Sequence, residues 1–163
     1  MSLSLRTADT PDAEAINDIL NHYVLTSTAT FLLAPQTAAE RVAWLEGRSI
    51  SHPVIVAEDD GMVVGWSALS HFRVRAAYAK TAEIAVYVRH DMHHRGIGRA
   101  LIRELIARAR AADLHAMVAG VCSESTASIA LFESLGFAQV AHFHEVGRKF
   151  DRWLDVLFLE LIL

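Results

Sequence analysis

A strand, a short polar loop and a long amphipathic helix follow one another in the middle of the chain, and this order constrains the fold most. Residues 81–88 predict a β-strand with two distinct faces. One face carries Ala82, Ile84, Val86 and Val88, and the other carries Thr81, Glu83, Ala85 and Tyr87. After a polar loop at 89–95, a helix is predicted to about residue 112, with an apolar stripe at Ile97, Leu101, Ile102, Leu105, Ile106 and Ala109. Such a unit requires a sheet with a helix packed on one face.

The remaining segments predict a mixed α/β domain. Further strands are predicted at 3–6, 54–58, 62–70, 115–121, 137–144 and 153–161. A first helix is expected at Thr10, which we interpret as its N-cap with Pro11 at the first helical position. Another is expected after Thr37, which has the spacing of a capping box with Glu40. A third is expected at 128–135, closed by Gly136. The length of 163 residues predicts a single domain, at 1–163.

Composition excludes several classes of protein. The net charge is −4, and apart from Lys80 and Lys149 the basic residues are scattered arginines, so nucleic acid is not an expected partner. The single cysteine, Cys122, excludes an internal disulfide framework and a cysteine-built zinc site, and it fits a reducing compartment. The apolar runs are too short to span a bilayer, and the first residues lack the pattern of a secretory signal. We expect a cytoplasmic protein with no membrane partner.

The segment Arg95-Gly96-Ile97-Gly98-Arg99-Ala100 carries the clearest chemical signal. Glycines between a strand and a helix let a ligand approach the main chain, and free N–H groups at a helix start favour anions. With two arginines they predict a phosphate or pyrophosphate site, although a tight turn at a helix start explains the glycines equally well. Two known phosphate loops do not fit. A dinucleotide fingerprint requires a small residue where Leu101 stands, and a P-loop requires Gly-Lys-Ser/Thr.

Four motifs in order resemble the GNAT superfamily of N-acetyltransferases over nearly the whole chain. Val86-Tyr87-Val88 followed by Arg95-x-x-Gly98-x-Ala100 resembles the acetyl-CoA signature of that family. The supporting stretches are Thr81-Ala82-Glu83, then Ser128-Ile129-Ala130-Leu131 with Leu135-Gly136-Phe137, and Gly147-x-Lys149-Phe150-x-Arg152-Trp153-Leu154-Asp155. Within the family, the chain resembles the phosphinothricin acetyltransferase-like branch. The resemblance implies a central, mostly antiparallel sheet that splays in the middle, with helices on both faces, and it implies a homodimer.

The resemblance also implies acetyl-CoA as the acetyl donor and no metal. The pyrophosphate is expected on the main-chain amides from His94 to Ala100, the pantetheine arm beside residues 86–88, and the developing oxyanion on the N–H of Val88. The full set of expected cofactor contacts is Val86, Tyr87, Val88, His94, Arg95, Gly96, Ile97, Gly98, Arg99, Ala100, Ser125 and Ser134. Ser125 replaces the asparagine of many members, so its contact with the cofactor is expected to be less complete.

Glu83 is the expected general base, because the catalytic glutamate of the family maps to this strand. An exposed strand carboxylate is the alternative. Arg73 and Arg75 precede this strand and are expected to bind a substrate carboxylate by paired hydrogen bonds, with a solvated loop as the equal alternative. Glu83, Ala85 and Lys149 complete the expected substrate-binding set, and Lys149 has a structural role as its alternative.

The implied function is transfer of the acetyl group of acetyl-CoA to the primary amine of a small amino-acid-like substrate. Phosphinothricin, methionine sulfoximine and methionine sulfone are substrates of this type. A peptide or protein N-acetyltransferase and a non-catalytic acyl-CoA-binding module are the alternatives.

Two features of the sequence qualify this interpretation. Phe132 stands where many members carry a histidine proposed to assist proton transfer, and Ile84 and Ala85 predict a more apolar substrate wall. No metal site is expected at His90, His93 and His94, because adjacent histidines do not readily face one ion.

Overall fold

A computed structural model of the chain describes residues 2–163, and its strands form one seven-stranded sheet in the order β1-β2-β3-β4-β5-β7-β6. The strands are β1 (Leu3–Thr7), β2 (Val54–Asp59), β3 (Met62–His71), β4 (Thr81–Val88), β5 (Ala116–Cys122), β6 (Ala138–Lys149) and β7 (Arg152–Ile162). The helices are α1 (Ala13–Thr26), α2 (Ala38–Glu46), α3 (Ile97–Ala111) and α4 (Thr126–Glu133). The predicted α/β class is confirmed.

The sheet is antiparallel except at its centre. β4 and β5 run parallel, and they pair only at residues 81–83 of β4 and 116–118 of β5. Beyond these positions the two strands separate, although β5 continues to pair with β7 as far as Cys122 and Val156. The predicted mostly antiparallel sheet, splayed in the middle, is therefore confirmed.

Helices cover both faces of the sheet, as predicted. On one face lies α3, whose whole predicted apolar stripe is buried against β2–β5 and β7: Ile97, Leu101, Ile102, Leu105, Ile106 and Ala109. On the other face, Ile16, Ile19 and Leu20 of α1 pack against Val56 and Trp66, with part of α2 beside them. Burial of these two apolar stripes is the main force that holds the helices to the sheet.

Two predicted helix starts are corrected. The N-cap of the first helical segment is Asp9 rather than Thr10, because the Asp9 carboxylate accepts the N–H of Thr10 at 2.8 Å and a short 3-10 turn precedes α1. In α4 the helix begins at Thr126, two residues before the predicted start, and the N–H of Ile129 donates to the carbonyl of Ser125 at 3.1 Å. The capping box of α2, between Thr37 and Glu40, is confirmed.

No helix in residues 2–163 is both long enough and apolar enough to cross a bilayer.

Candidate active site

The divergence of β4 and β5 opens two adjoining cavities. The first has a volume of about 330 Å³ and is lined by Ala29, Ser70, Glu83, Ile84, Ala85, Val86, Tyr87, Gly120, Val121, Cys122, Ser125, Ser128 and Phe132. The second has a volume of about 480 Å³ and is lined by Tyr23, Ala29, Val86, Tyr87, Val88, Met92, His93, His94, Gly96, Ile97, Gly98, Arg99, Ala127, Ser128 and Leu131. Since the two share Ala29, Val86, Tyr87 and Ser128, they form one continuous groove along β4.

Unpaired main-chain donors of β4 face this groove. Val88 lies opposite Gly65 of β3, and the neighbouring N–H of Arg89 donates to the carbonyl of Val64 at 2.9 Å. In an antiparallel pair, successive residues point their N–H groups alternately toward and away from the partner strand. The N–H groups of Val86 and Val88 therefore point away from β3, on the side where β5 no longer pairs with β4. A ligand in the groove can take the place of the missing strand.

The start of α3 forms an anion site at the end of the groove. The first hydrogen bond of the helix runs from the N–H of Ala100 to the carbonyl of Gly96 at 3.0 Å, so the three preceding N–H groups have no intrahelical acceptor. His94 and Gly96 have φ values of +61° and +80°, which turns successive main-chain donors toward one side. These donors and the positive end of the helix dipole suit a phosphate or pyrophosphate.

Position 98 leaves little room for a side chain. A Cβ atom there would lie 3.1 Å from Cδ2 of Leu131, because the first turn of α3 packs closely against α4. The same two helices are tied by the guanidinium of Arg99, which donates to the hydroxyl of Ser134 at 2.9 Å. The anion site is thus held in place by α4.

Glu83 is the ionisable group at the other end of the groove. It lies opposite Ser70 of β3 and Val118 of β5, at the last position where β4 and β5 pair. Its half-buried side chain lines the first cavity, and burial raises the pKa of this carboxyl while the charge of Arg73 partly offsets that rise. A carboxylate with a raised pKa in a cleft is suited to take a proton from a substrate.

Comparison with known proteins shows the family. Residues 5–158 match the model of the acetyltransferase (GNAT) domain. The chain belongs to the GNAT acetyltransferase family.

Its relatives include enzymes that act on amino acids. The L-amino acid N-acyltransferase MnaT of Escherichia coli is 40% identical over 98% of this chain and 93% of its own. An L-methionine sulfoximine/L-methionine sulfone acetyltransferase of Salmonella typhimurium is 40% identical over 98% of this chain and 94% of its own. The solved phosphinothricin acetyltransferase of Sinorhizobium meliloti, in complex with acetyl-CoA, is 34% identical and superposes with a TM-score of 0.93 over 100% of this chain and 89% of its own. The predicted branch of the family is confirmed.

The structure brings most of the expected site residues of this GNAT protein into the groove. Glu83, Ala85 and Ser125 line the first cavity, His94, Gly96, Ile97, Gly98, Arg99 and Val88 line the second, and Val86 and Tyr87 line both. Arg73, Arg75, Arg95, Ala100, Ser134 and Lys149 line neither. Arg73 nevertheless lies close enough to Glu83 for its charge to act on that carboxyl. Ser134 is engaged by Arg99, and its own hydroxyl donates to the carbonyl of Leu131 at 2.7 Å.

Lys149 has a structural position rather than the expected place against a substrate. Its side chain is buried, and its ammonium donates to the carbonyls of Ser27 at 2.7 Å and Thr30 at 2.8 Å. These acceptors belong to the loop between α1 and α2, whose Ala29 lines both cavities. The same loop is held by the hydroxyl of Tyr87, which donates to the carbonyl of Ala29 at 3.3 Å. Lys149 therefore positions a wall of the groove.

Sequence reasoning missed Tyr23 and the α1–α2 loop. The hydroxyl of Tyr23, on α1, donates to the carbonyl of Val88 at 2.5 Å and lies 2.6 Å from Nε2 of His93. Burial raises the pKa of Tyr23 to about 12, so it stays a donor throughout the neutral range. Tyr23 and Val88 lie 65 residues apart, and no local pattern signals such a contact.

Phe132 lines the first cavity and packs edge-on against Phe137, which makes this wall apolar.

We predict that Lys149→Met loosens the α1–α2 loop. The substitution leaves carbonyls of Ser27 and Thr30 without their buried donor, which costs about 1–3 kcal/mol of the free energy of unfolding. Urea unfolding measures this loss, and amide hydrogen exchange is expected to become faster at residues 27–36. Arg148→Met is the matched control, because Arg148 is exposed on the same strand. Equal exchange and equal stability in the two variants would contradict the positioning role.

Proposed function

We propose that the protein transfers the acetyl group of acetyl-CoA to the primary amine of a small amino-acid-like substrate of the methionine sulfoximine, methionine sulfone or phosphinothricin type. The observation that carries this proposal is the continuous groove, which has an anion site at one end and a half-buried glutamate at the other. The relatives named above act on such substrates.

The residues of the groove fit acetyl-CoA. The start of α3, with Gly96, Gly98 and Arg99, suits the pyrophosphate, while the free N–H of Val86 suits an amide carbonyl of the pantetheine arm. Ser125 lines the first cavity, Ser134 accepts from Arg99, and Ala100 closes the first hydrogen bond of the helix, with Arg95 directly before the helix start. When bound, acetyl-CoA supplies an activated thioester carbonyl between the two cavities.

Glu83 and Val88 divide the chemistry. Glu83 takes the proton from the substrate ammonium, directly or through water, so that the amine nitrogen has a free electron pair for attack on the thioester carbon. The N–H of Val88 donates to the carbonyl oxygen as negative charge develops there. The carbon–sulfur bond then breaks, and the second proton that the nitrogen loses as it becomes an amide passes, directly or through water, to the sulfur, so that the coenzyme leaves as the thiol. The main contribution of the chain is to hold amine and thioester in line.

We propose that Arg73 and Arg75 bind the carboxylate of the substrate. Both are exposed in the loop between β3 and β4, and Arg73 acts electrostatically on Glu83. A guanidinium near the mouth of the first cavity suits a carboxylate or phosphinate by paired hydrogen bonds. Ala85 supplies the small, apolar wall beside it.

Two alternatives remain distinguishable. A non-catalytic acyl-CoA-binding module has no use for a half-buried glutamate in the first cavity. A peptide N-acetyltransferase needs an open groove, whereas the α1–α2 loop covers this one at Ala29. A panel of amino-acid analogues, polyamines and short peptides, assayed by release of free thiol from acetyl-CoA, separates the three functions.

We expect Glu83→Gln to lower kcat by about 10²–10⁴-fold and to leave the affinity for acetyl-CoA nearly unchanged. The amide of glutamine cannot accept the proton of the ammonium, but it keeps the shape of the side chain. Steady-state kinetics and a cosubstrate titration measure the two quantities. Glu14→Gln, at an exposed carboxylate on α1, is the control and is expected to behave as wild type. Unchanged turnover in Glu83→Gln would show that Glu83 is not the base.

The pH profile gives an independent test of Glu83. Because the base acts only when it is deprotonated, kcat/KM is expected to fall as the pH drops through the raised pKa of this carboxyl. That acid limb lies at a higher pH than an exposed glutamate would give, and it is expected to vanish from the residual rate of Glu83→Gln.

We predict that Arg73→Ala and Arg75→Ala each raise the KM for the amine by about 10- to 100-fold, because each removes a charged hydrogen bond to the substrate. The KM for acetyl-CoA is expected to stay constant. Arg103→Ala, at an exposed position of α3, is the control. If the KM for the amine is the same in all three variants, the arginine loop does not bind the carboxylate.

We also propose that the protein is a homodimer. β6 is the edge of the sheet, and large apolar side chains on and beside it are exposed: Val140, Phe143, Val146, Phe150 and Trp153. A long, exposed, apolar edge strand favours pairing with another chain.

We propose further that residues 1–163 act as one acetyltransferase domain in the cytoplasm, without nucleic-acid or membrane partners. The free, buried thiol of Cys122 and the scattered arginines support this assignment.

The double variant Val140→Glu with Val146→Glu is expected to be monomeric, since two buried charges would oppose the interface. Light scattering after size exclusion measures the mass, and circular dichroism confirms the fold. Ile50→Glu, at an even more exposed apolar residue outside β6, is the control and is expected to remain dimeric. A wild-type chain with the mass of a monomer would overturn the proposal.

A further inference from the structure

A cluster of two imidazoles and a carboxylate lies on the β6–β7 hairpin, away from the groove. His142 of β6 lies opposite Leu157 of β7, which belongs to the core beneath α3. Glu83 alternates along β4 with Ala82 and Ile84, which belong to that same core, so its carboxylate faces the opposite side of the sheet. The cluster, formed by His142, His144 and Asp155, is thus separate from the proposed catalytic chemistry.

The three side chains converge on one carboxylate oxygen. Nε2 of His142 lies 2.7 Å from Oδ2 of Asp155, and Nδ1 of His144 lies 3.1 Å from the same oxygen. The centroids of the two rings lie 4.1 Å apart, and their planes are tilted by 31°. The three ligand atoms all lie within 4.8 Å of one another. Among residues 2–163, no other set of three or more histidine, cysteine, aspartate or glutamate side chains meets this distance.

A bulge in β6 creates this arrangement. The register between β6 and β7 shifts between Phe143 and Gly147, and Glu145 has a φ of +52°. The N–H of Glu145 donates to Oδ1 of Asp155 at 2.9 Å. One carboxylate oxygen is therefore fixed by the main chain, and the other is directed at the rings. Metal ligands are oriented by such outer contacts in known sites.

We propose that His142, His144 and Asp155 bind a divalent transition-metal ion of the zinc type. Two imidazole nitrogens and one carboxylate oxygen are ligands that zinc prefers, and a tetrahedral ion with such bonds holds its ligand atoms about 3.3 Å apart. The side chains of His142 and His144 are 38% and 74% exposed, which leaves the fourth position open to water.

Each neutral ring binds the ion through the nitrogen that faces Asp155 and carries its one proton on the other nitrogen, to which that proton moves through solvent. The hydrogen bonds between the rings and Asp155 are thereby replaced by bonds to the ion. The bound ion cross-links β6 to β7 at the bulge and stabilises the edge of the sheet. Sequence reasoning weighed only the histidines at 90, 93 and 94, because the ligands of this cluster are brought together by the register of the hairpin.

The test uses the full chain without an affinity tag, stripped with a chelator and then dialysed against Zn²⁺. We expect one bound zinc ion per chain at micromolar free metal, measured by atomic absorption, and a rise in Tm when zinc is added. Co²⁺ used as a spectroscopic probe is expected to give the visible bands of a four-coordinate site. His142→Ala and His144→Ala are each expected to weaken binding at least about tenfold and to abolish the Tm shift. His115→Ala removes an exposed histidine elsewhere and serves as the matched control.

Binding that is substoichiometric in the wild-type chain, or that survives in both histidine variants, would overturn the inference. In that case the three side chains form a hydrogen-bonded cluster only. Asp155→Asn is a weaker test because Asp155 also holds the bulge, and the two exposed histidines decide the outcome if that variant does not fold. None of these measurements depends on acetyl transfer.

Discussion

The parallel pairing of β4 with β5 ends at Glu83 and Val118, and both halves of the site follow from that ending. Past this point β4 keeps its partner on one side only, so the N–H groups of alternate residues have no partner strand on the other. Such donors are costly if they are buried without an acceptor, and they are useful beside a ligand that can accept from them. The gap also gives the groove its volume. Glu83 stands where the gap begins, in a position that β-sheet geometry itself defines.

Buried cations support the face of the sheet that carries α1. Lys149 is held by carbonyl oxygens of the α1–α2 loop, and Arg41 donates to the side-chain oxygen of Gln36 in the same loop. Arg48 donates to the carbonyl of His52 at 3.1 Å. Burial lowers the pKa of all three cations, and at Arg41 the nearby charge of Glu40 offsets this effect only in part. The loop is thus fixed by main-chain and amide dipoles rather than by ion pairs.

Local periodicity predicted the α/β class and the strand that lines the groove, whereas the mostly antiparallel, splayed sheet was predicted from the family resemblance. The stripe of α3 and the alternation of β4 are properties of single elements, and the sheet they require could be inferred before any contact was known. The start of α3 could also be predicted, because its two glycines and two arginines lie within five consecutive residues. Lys149 was not readable, because its acceptors lie about 120 residues away, and neither was the contact of Tyr23 with Val88. Family resemblance supplied Glu83, and only the tertiary structure shows how deeply it is buried.

The α1–α2 loop forms a wall of the groove, and it also affects how substrate enters and product leaves. Ala29 borders both cavities, so an amine that enters and an acetylated product that leaves must pass a segment fastened to β4 by Tyr87 and to β6 by Lys149. The contacts of Tyr87 and Lys149 with this loop therefore affect both the positioning of the substrate and the rate of product release. In enzymes of this design, catalytic throughput is limited by loop opening when the loop is held too tightly, and by loss of unreacted substrate when it is held too loosely.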